Sequence, residues 1–269
     1  MRSTSLFLGL MLAAATVHGE TPAWQTDWDT AFKMAKEQHR LVFVDYTAVR
    51  CGECRNVEAI TFKSPDILPS LSDFVLLRVD VDSTPAHRIE VPAYIVYDPA
   101  QRQRFEALGK DAGSHLTAKN LDDIRRAAPD LLQASDLLDA GKDLEASFLV
   151  ANTYSRLKMA ARARKEYSDA RRIATQRGDA AAAQVADAQS AFTFAREGDA
   201  PKAIKLLKAL SAQPVNRDNE ALLWLTLGHA YDVAKDSPSA RDAYTRARSL
   251  APPASRTYAE AGESMERLH

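Results

Sequence analysis

Cysteine is nearly absent from this chain: among 269 residues there are only Cys51 and Cys54, three positions apart. That scarcity excludes the disulfide framework of small, coreless secreted domains, and one bridge across three residues would close too short a loop to constrain the unfolded chain much. Excess charge is lacking as well. A formal net charge of -1 with 26% charged residues leaves neither a basic field for nucleic acid nor an acidic tail. No apolar run is long enough to cross a bilayer unaided. What is present is enough chain for one large or two ordinary domains, 46% hydrophobic and able to fill a core in each.

The first residues read as an export signal. Arg2 gives a basic start, Leu6 to Ala15 an apolar stretch, and Val17-His18-Gly19 a small-residue exit, so residues 1–19 are expected to be removed after about Gly19. No cysteine follows the apolar stretch to carry a lipid anchor. The expected location is therefore an exported, periplasmic compartment, with no stable membrane span in the mature chain. An oxidising compartment turns an unguarded thiol pair into a disulfide, and with a core this well supplied a stabilising staple is not needed. Chemistry is the better explanation of the pair.

From Trp24 to about Ala128 helix and strand patterns alternate. "DWDTAFKMAKEQHR" places Trp28, Phe32 and Ala35 on one helical face, with Asp27 set to cap it and Asp29 in the first turn. "LVFVDY" (41–46), "FVLLRVDV" (74–81) and "AYIVYD" (93–98) read as buried strands, "RFEAL" (104–108) as another, and "LTAKNLDDIRRA" (116–127) as a closing helix. This alternation predicts an α/β layer with a covered sheet.

"CGEC" follows the first of these strands and opens a helix running through "RNVEAITF". Cys51 then lies at a helix amino terminus, where unpaired N–H groups and the macrodipole favour a thiolate, and Cys54 lies one turn inward on the same face. The placement makes Cys51 the nucleophile and Cys54 the resolving partner. Half a zinc site is the rival reading, but there is no second pair, and His39, His87 and His115 are scattered singly.

"VDYTAVRCGEC" and "EVPAYIVYD" together resemble the thioredoxin fold, over about residues 22–128. The resemblance implies a proton relay to the resolving cysteine at Asp45, six residues before Cys51. It also implies a cis peptide bond at Val91-Pro92, which would face the disulfide and align a substrate chain. Arg50, Glu53 and Ala93 stand where the family usually has tryptophan, proline and threonine. Arg50 and Arg55 should favour a thiolate and Glu53 oppose it, which leaves the redox potential open.

From Pro129 onward alanine replaces the β-branched residues and the pattern is all helix. Segments near 144–177, 184–217 and 221–254 repeat with a period close to 34 residues. Their starts are spaced unevenly, so "TQRGDAAAA" (175–183) and "QPVNRDNE" (213–220) are expected to be long connections. The third copy carries Trp224, Leu227, Gly228, Tyr231, Ala240, Tyr244 and Ala247, and the whole resembles the tetratricopeptide repeat. Residues 255–268 would cap the stack, making 129–269 an all-α solenoid. Small residues at Ala151, Ala191 and Gly228 would shape a concave groove, with Asn152, Arg156, Asp187 and His229 as candidate contacts.

The combined expectation is an exported thiol-disulfide oxidoreductase. Cys51, Cys54 and Asp45 would be catalytic, Val91 and Pro92 would bind substrate, and no cofactor or metal is called for. Its partners would be protein thiols or disulfides, a redox partner protein, and a protein held in the repeat groove. The competing reading is a non-enzymatic adaptor with a passive C-x-x-C.

Overall fold

The computed structural model describes residues 23–84, 88–108 and 116–268. The expected export signal, His87 and His115 lie outside the described residues. Five strands form one sheet: β1 (Trp24–Gln25), β2 (Val42–Thr47), β3 (Val75–Asp80), β4 (Ala93–Tyr97) and β5 (Gln103–Leu108), in the order β1-β3-β2-β4-β5. β1, β3 and β2 run parallel, while β4 and β5 are antiparallel to their neighbours. β2 is central and covered on both sides, which is why it reads as a continuous apolar run interrupted only by Asp45.

Residues of β2 alternate between two cores. Val42, Val44 and Tyr46 meet Ala31, Phe32 and Ala35 of helix α1 (Trp28–Gln38), whose amino terminus is capped by Asp27 accepting the Thr30 N–H at 2.8 Å. Phe43 faces the opposite side with Leu76, Tyr94 and Val96, beneath α2 (Gly52–Ala59), α3 (Leu68–Leu71) and α4 (Ala118–Asp139).

The closing helix, expected to stop near residue 127, continues through Pro129 to Asp139. Proline has no N–H for the helix ladder, but burial of Leu121 and Ala127 before it and of Leu131, Leu132 and Ala134 after it outweighs that lost bond. The boundary expected between residues 128 and 129 thus falls inside α4. One core extends from Leu41 in the sheet half to Tyr154 and Tyr167 of the following helices.

Those helices form antiparallel pairs: α5 (Asp143–Arg156) with α6 (Ala160–Gln176), α7 (Ala180–Arg196) with α8 (Ala200–Ser211), and α9 (Arg217–Val233) with α10 (Ser237–Leu250), followed by α11 (Arg256–Arg267). The pairs begin at 143, 180 and 217, an even spacing of 37 residues that corrects both the uneven starts and the period close to 34 expected from sequence. The middle pair starts earlier because Asp179 accepts the Ala182 N–H at 2.9 Å, which makes 180–183 helical rather than connecting chain. Asn216 does the same for α9, accepting the Asn219 N–H at 2.9 Å.

Edge strand β5 is covered by the helical half. The Arg104 carbonyl accepts bonds from Tyr154 Oη at 2.6 Å and Arg162 Nη1 at 2.9 Å, while the buried Arg104 side chain pairs with Asp98 at 2.7 Å. These bonds join the halves and leave less free edge for intermolecular pairing.

Candidate functional site

β2 ends at Thr47, and after a short loop Cys51 becomes the N-cap of α2. The Cys51 backbone is extended, and Cys51 Sγ accepts the Cys54 N–H at 3.1 Å. The two cysteines form a disulfide with Cα atoms 5.3 Å apart. Cys54 is buried, at 5% exposure, whereas Cys51 is partly exposed, so a substrate sulfur can reach Cys51 first. In the reduced state the N–H groups of the first turn would face the Cys51 sulfur and favour its thiolate.

The loop before Cys51 is tied down by arginines. Arg55 Nη1 donates to the Val49 carbonyl at 2.6 Å, and Arg50 pairs with Asp82. A β-carbon placed on Gly52 would lie 3.8 Å from Arg55 Nη2, so this guanidinium lies against the middle of the C-x-x-C. Val49 itself is 80% exposed, an apolar side chain two positions from the reachable sulfur.

The Val91-Pro92 bond is cis, the isomer the resemblance implies. The next residue, Ala93, is paired in register with Tyr46, one position from the end of β2. Cys51 and Val91 both pack against the core built around Tyr46, Ala48 and Ala93. The sheet thereby brings the disulfide segment and the cis-proline segment to one end.

Asp45 is 4% exposed and alternates onto the side of the sheet that α2 covers. Its register partners are Arg78 on β3 and Tyr94 on β4. Arg78 Nε donates to Asp45 Oδ2 at 3.0 Å, its Nη1 donates to Glu58 Oε1 at 2.6 Å, and its guanidinium lies 4.6 Å from the centre of the Trp24 ring. The Tyr94 hydroxyl is buried without a hydrogen-bond partner among the described residues. Burial pushes the Asp45 carboxyl up to about 6; the Arg78 charge and hydrogen bond pull it down, and Glu58 pushes it up. Arg78, Glu58 and Trp24 are absent from the sequence-derived site. The signal for Arg78 was available, since it is the one charge inside the apolar run "FVLLRV" and a charge in such a strand needs a partner.

In the helical half the first helices of the three pairs, together with α11, line a groove of about 850 Å³. Asn152, Arg156 and His229 line it as expected; Asp187 does not. On α7 the groove face carries Gln189, Phe192 and Arg196, and Asp187 instead pairs with Arg171 of α6 at 3.0 Å. Asn152 accepts the Tyr167 hydroxyl at 2.7 Å, and Arg156 pairs with Asp130. His229 lies between the Phe192 and Tyr244 rings; burial lowers its pKa while Glu260, 3.7 Å away, pulls it up. Ala151 and Ala191 are buried behind the groove. At Gly228 a β-carbon would come within 2.5 Å of the Tyr244 ring, so only glycine fits that approach.

Among the described residues no three His, Cys, Asp or Glu side chains cluster to hold a metal, and no helix is long and apolar enough to cross a membrane. Residues 23–99 match a family model described as thioredoxin-like. Thioredoxin H-type of Brassica oleracea is 33% identical over 116 residues, covering 41% of this chain and 91% of that protein. Thioredoxin H-type of Fagopyrum esculentum is 26% identical over 98 residues, covering 34% of this chain and 82% of that protein. Thiol:disulfide interchange protein DsbD 2 of Pseudomonas aeruginosa is 30% identical over 130 residues, covering 40% of this chain but 22% of that protein.

Proposed function

The chain belongs to the thioredoxin family, and from that premise we propose that it is an exported, periplasmic thiol-disulfide oxidoreductase acting on protein substrates. The observation that carries this reading is the pairing of a reachable Cys51 at a helix amino terminus with a buried Cys54. Starting from the dithiol, the Cys51 thiolate attacks a substrate disulfide, forming a mixed disulfide and expelling one substrate thiolate. Cys54 then gives its proton to Asp45 and attacks Cys51 Sγ. The Cys51–Cys54 bond forms, the bond to substrate breaks, and the second substrate sulfur leaves with its electron pair and takes up a proton. Two electrons have passed to the substrate, and reversing every step oxidises a substrate dithiol. Val91 and Pro92 hold the substrate segment in extended form beside the sulfurs, as an added strand would pair, and exposed Val49 offers it an apolar contact.

The helical half is proposed to be three tetratricopeptide repeats with a terminal cap, so that the sheet half does the chemistry and the helix pairs that follow α4 select the partner through the groove. Tethering a substrate there raises its concentration at Cys51 to the millimolar range without new contacts at the sulfur. The even start-to-start spacing of the helix pairs and the close approach at Gly228 support this assignment. The test of the whole reading is Cys51→Ser in the full chain. Exchange with a protein disulfide is expected to fall to the uncatalysed rate; biological activity retained in full by this variant would favour a passive adaptor instead.

A further inference from the structure

A buried carboxylate facing a guanidinium would ordinarily stay ionised and make a poor proton acceptor. Asp45 faces Arg78 in just this way, yet Arg78 is shared. Its Nε edge is on Asp45 at 3.0 Å, its Nη1 on Glu58 at 2.6 Å, and its face lies 4.6 Å from the centre of the Trp24 ring. The Arg78 side chain is 23% exposed, that of Asp45 6%, and that of Glu58 53%. The chain of groups therefore runs from the buried carboxylate to the solvent.

We infer that Glu58 is a positioning residue for the resolving step: from the solvent side of α2 it fixes the Arg78 guanidinium on Asp45 and supplies that guanidinium with a second carboxylate. The inference rests on the role proposed above for Asp45. Two carboxylates and one guanidinium carry a net charge of -1, so when Asp45 takes the Cys54 proton an Arg78–Glu58 pair of zero net charge is left. Without Glu58, the same transfer would leave the partly buried Arg78 guanidinium without a carboxylate partner, which disfavours the protonated form of Asp45. Glu58 thus makes the protonated form of Asp45 tolerable. Other groups facing Asp45 do not supply this balance. Tyr94 on β4 has a hydroxyl pushed up by burial and by the Asp45 and Glu53 charges, and besides Glu58 the covering helix α2 carries the titratable Glu53 and, once reduced, Cys54.

Glu58 has no counterpart in the resolving mechanism as derived from the C-x-x-C, Asp45 and Pro92 alone. It sits seven residues after Cys51 on the exposed face of α2, where sequence pattern assigns an ordinary solvated charge.

The experiment uses the reduced, full-length protein and 5,5′-dithiobis(2-nitrobenzoate). Attack by Cys51 releases one coloured thiolate and leaves a mixed disulfide, and resolution by Cys54 releases the second. The rate of the second release, followed from about pH 5 to about pH 8, should rise with a midpoint near 6 in the parent protein, as Asp45 ionises. Glu58→Gln keeps the hydrogen-bond acceptor and removes the charge; it should move that midpoint down by about half a unit, and Arg78→Gln should move it up by roughly one. The first release should keep its profile in both. A Glu58→Gln midpoint equal to or above the parent's overturns the inference. Glu58 is exposed, so this variant decides the matter even if Arg78→Gln fails to fold. Asp45→Asn separates the two levels: if it leaves the second release unchanged, the role of Asp45 itself is wrong, whereas a flattened Asp45→Asn profile beside an unmoved Glu58→Gln profile rejects Glu58 alone.

Discussion

The sheet half and the helical half bury different kinds of side chain. Around β2, β3 and β4 the core is made of large aromatic and branched residues, such as Phe43, Phe62, Phe74 and Tyr94 on one side. Within it the sheet half also buries ionisable groups, Asp45, Asp98 and Arg104. Among its described residues the helical half buries no charged side chain. Its interhelical core is rich in alanine, with leucines such as Leu207, Leu223 and Leu227 and the rings of Tyr167 and Tyr244 filling the space between helices. Alanine lets helices approach closely and repeats easily, which suits an extended surface. Buried charge is costly and persists where geometry compensates it or where chemistry uses it.

Asp45 and Asp98 divide along that line. Asp98 accepts two bonds from Arg104, at 3.1 and 2.7 Å, and its other oxygen accepts the N–H groups of Ala100 and Arg102 at 2.9 and 3.0 Å. It is fully satisfied and belongs to the joint between the halves. Among the described residues Asp45 has one arginine bond, on one oxygen. A buried carboxylate held by fewer bonds is nearer to a change of protonation state.

The largest expected effect tests the Asp98 side of this contrast. Arg104→Met removes both Arg104 bonds to buried Asp98 and leaves it the longer Arg102 pair at 3.5 Å, and should cost about 3 kcal/mol of stability in denaturant unfolding. A loss no larger than that of a surface substitution would show that Asp98 is not held as described. Gly228→Ala should cost about 1–3 kcal/mol by forcing Tyr244 from its place, while the rate of exchange with a small disulfide stays at the parent value. If exchange falls in step with stability, the halves are more closely coupled than the division of labour allows.

Asp45→Asn should act in the opposite direction. The folded-state pKa of about 6 lies above the ordinary 3.8, so the folded protein binds the proton more tightly than the unfolded chain does. Stability contributed by Asp45 therefore falls as pH rises between those values, and the cost is fully present above them. The variant should be more stable than the parent by about 1–2 kcal/mol at neutral pH, with the difference fading toward pH 4. Unfolding curves at both pH values check this, and a destabilised variant at neutral pH would place Asp45 with Asp98. The smallest effect is expected at Asp187, whose exposed pair with Arg171 lies off the groove: Asp187→Ala should change stability by less than about 1 kcal/mol and leave captured partners unchanged, whereas Arg196→Ala, within the groove, should reduce their capture.

Much of this architecture was legible in sequence because local signals agreed with the fold. Asp27 before an amphipathic run gave the α1 cap, the apolar runs gave β2, β3 and β4, and "CGEC" after a strand gave the sulfur at a helix start. β1 was missed because two residues carry no period, and Trp24 reads as a lone aromatic until it is seen beneath Arg78. Pro129 suggested a stop that tertiary burial overrides. In the middle helix pair, "DAAAA" hid a cap followed by helix, since alanine fits a helix and a loop reading alike. Arg78, Glu58 and Asp45 come together only through strand register and the placement of α2, which no local pattern encodes.

The central claim is that Cys51 attacks and Cys54 resolves. Purified full-length Cys54→Ala, incubated with an oxidised protein substrate and analysed by mass spectrometry without reductant, tests it most directly. A mixed disulfide should accumulate at Cys51, with none trapped at Cys54 in the matching Cys51→Ala variant. Equal trapping at both positions, or none at either, would contradict it.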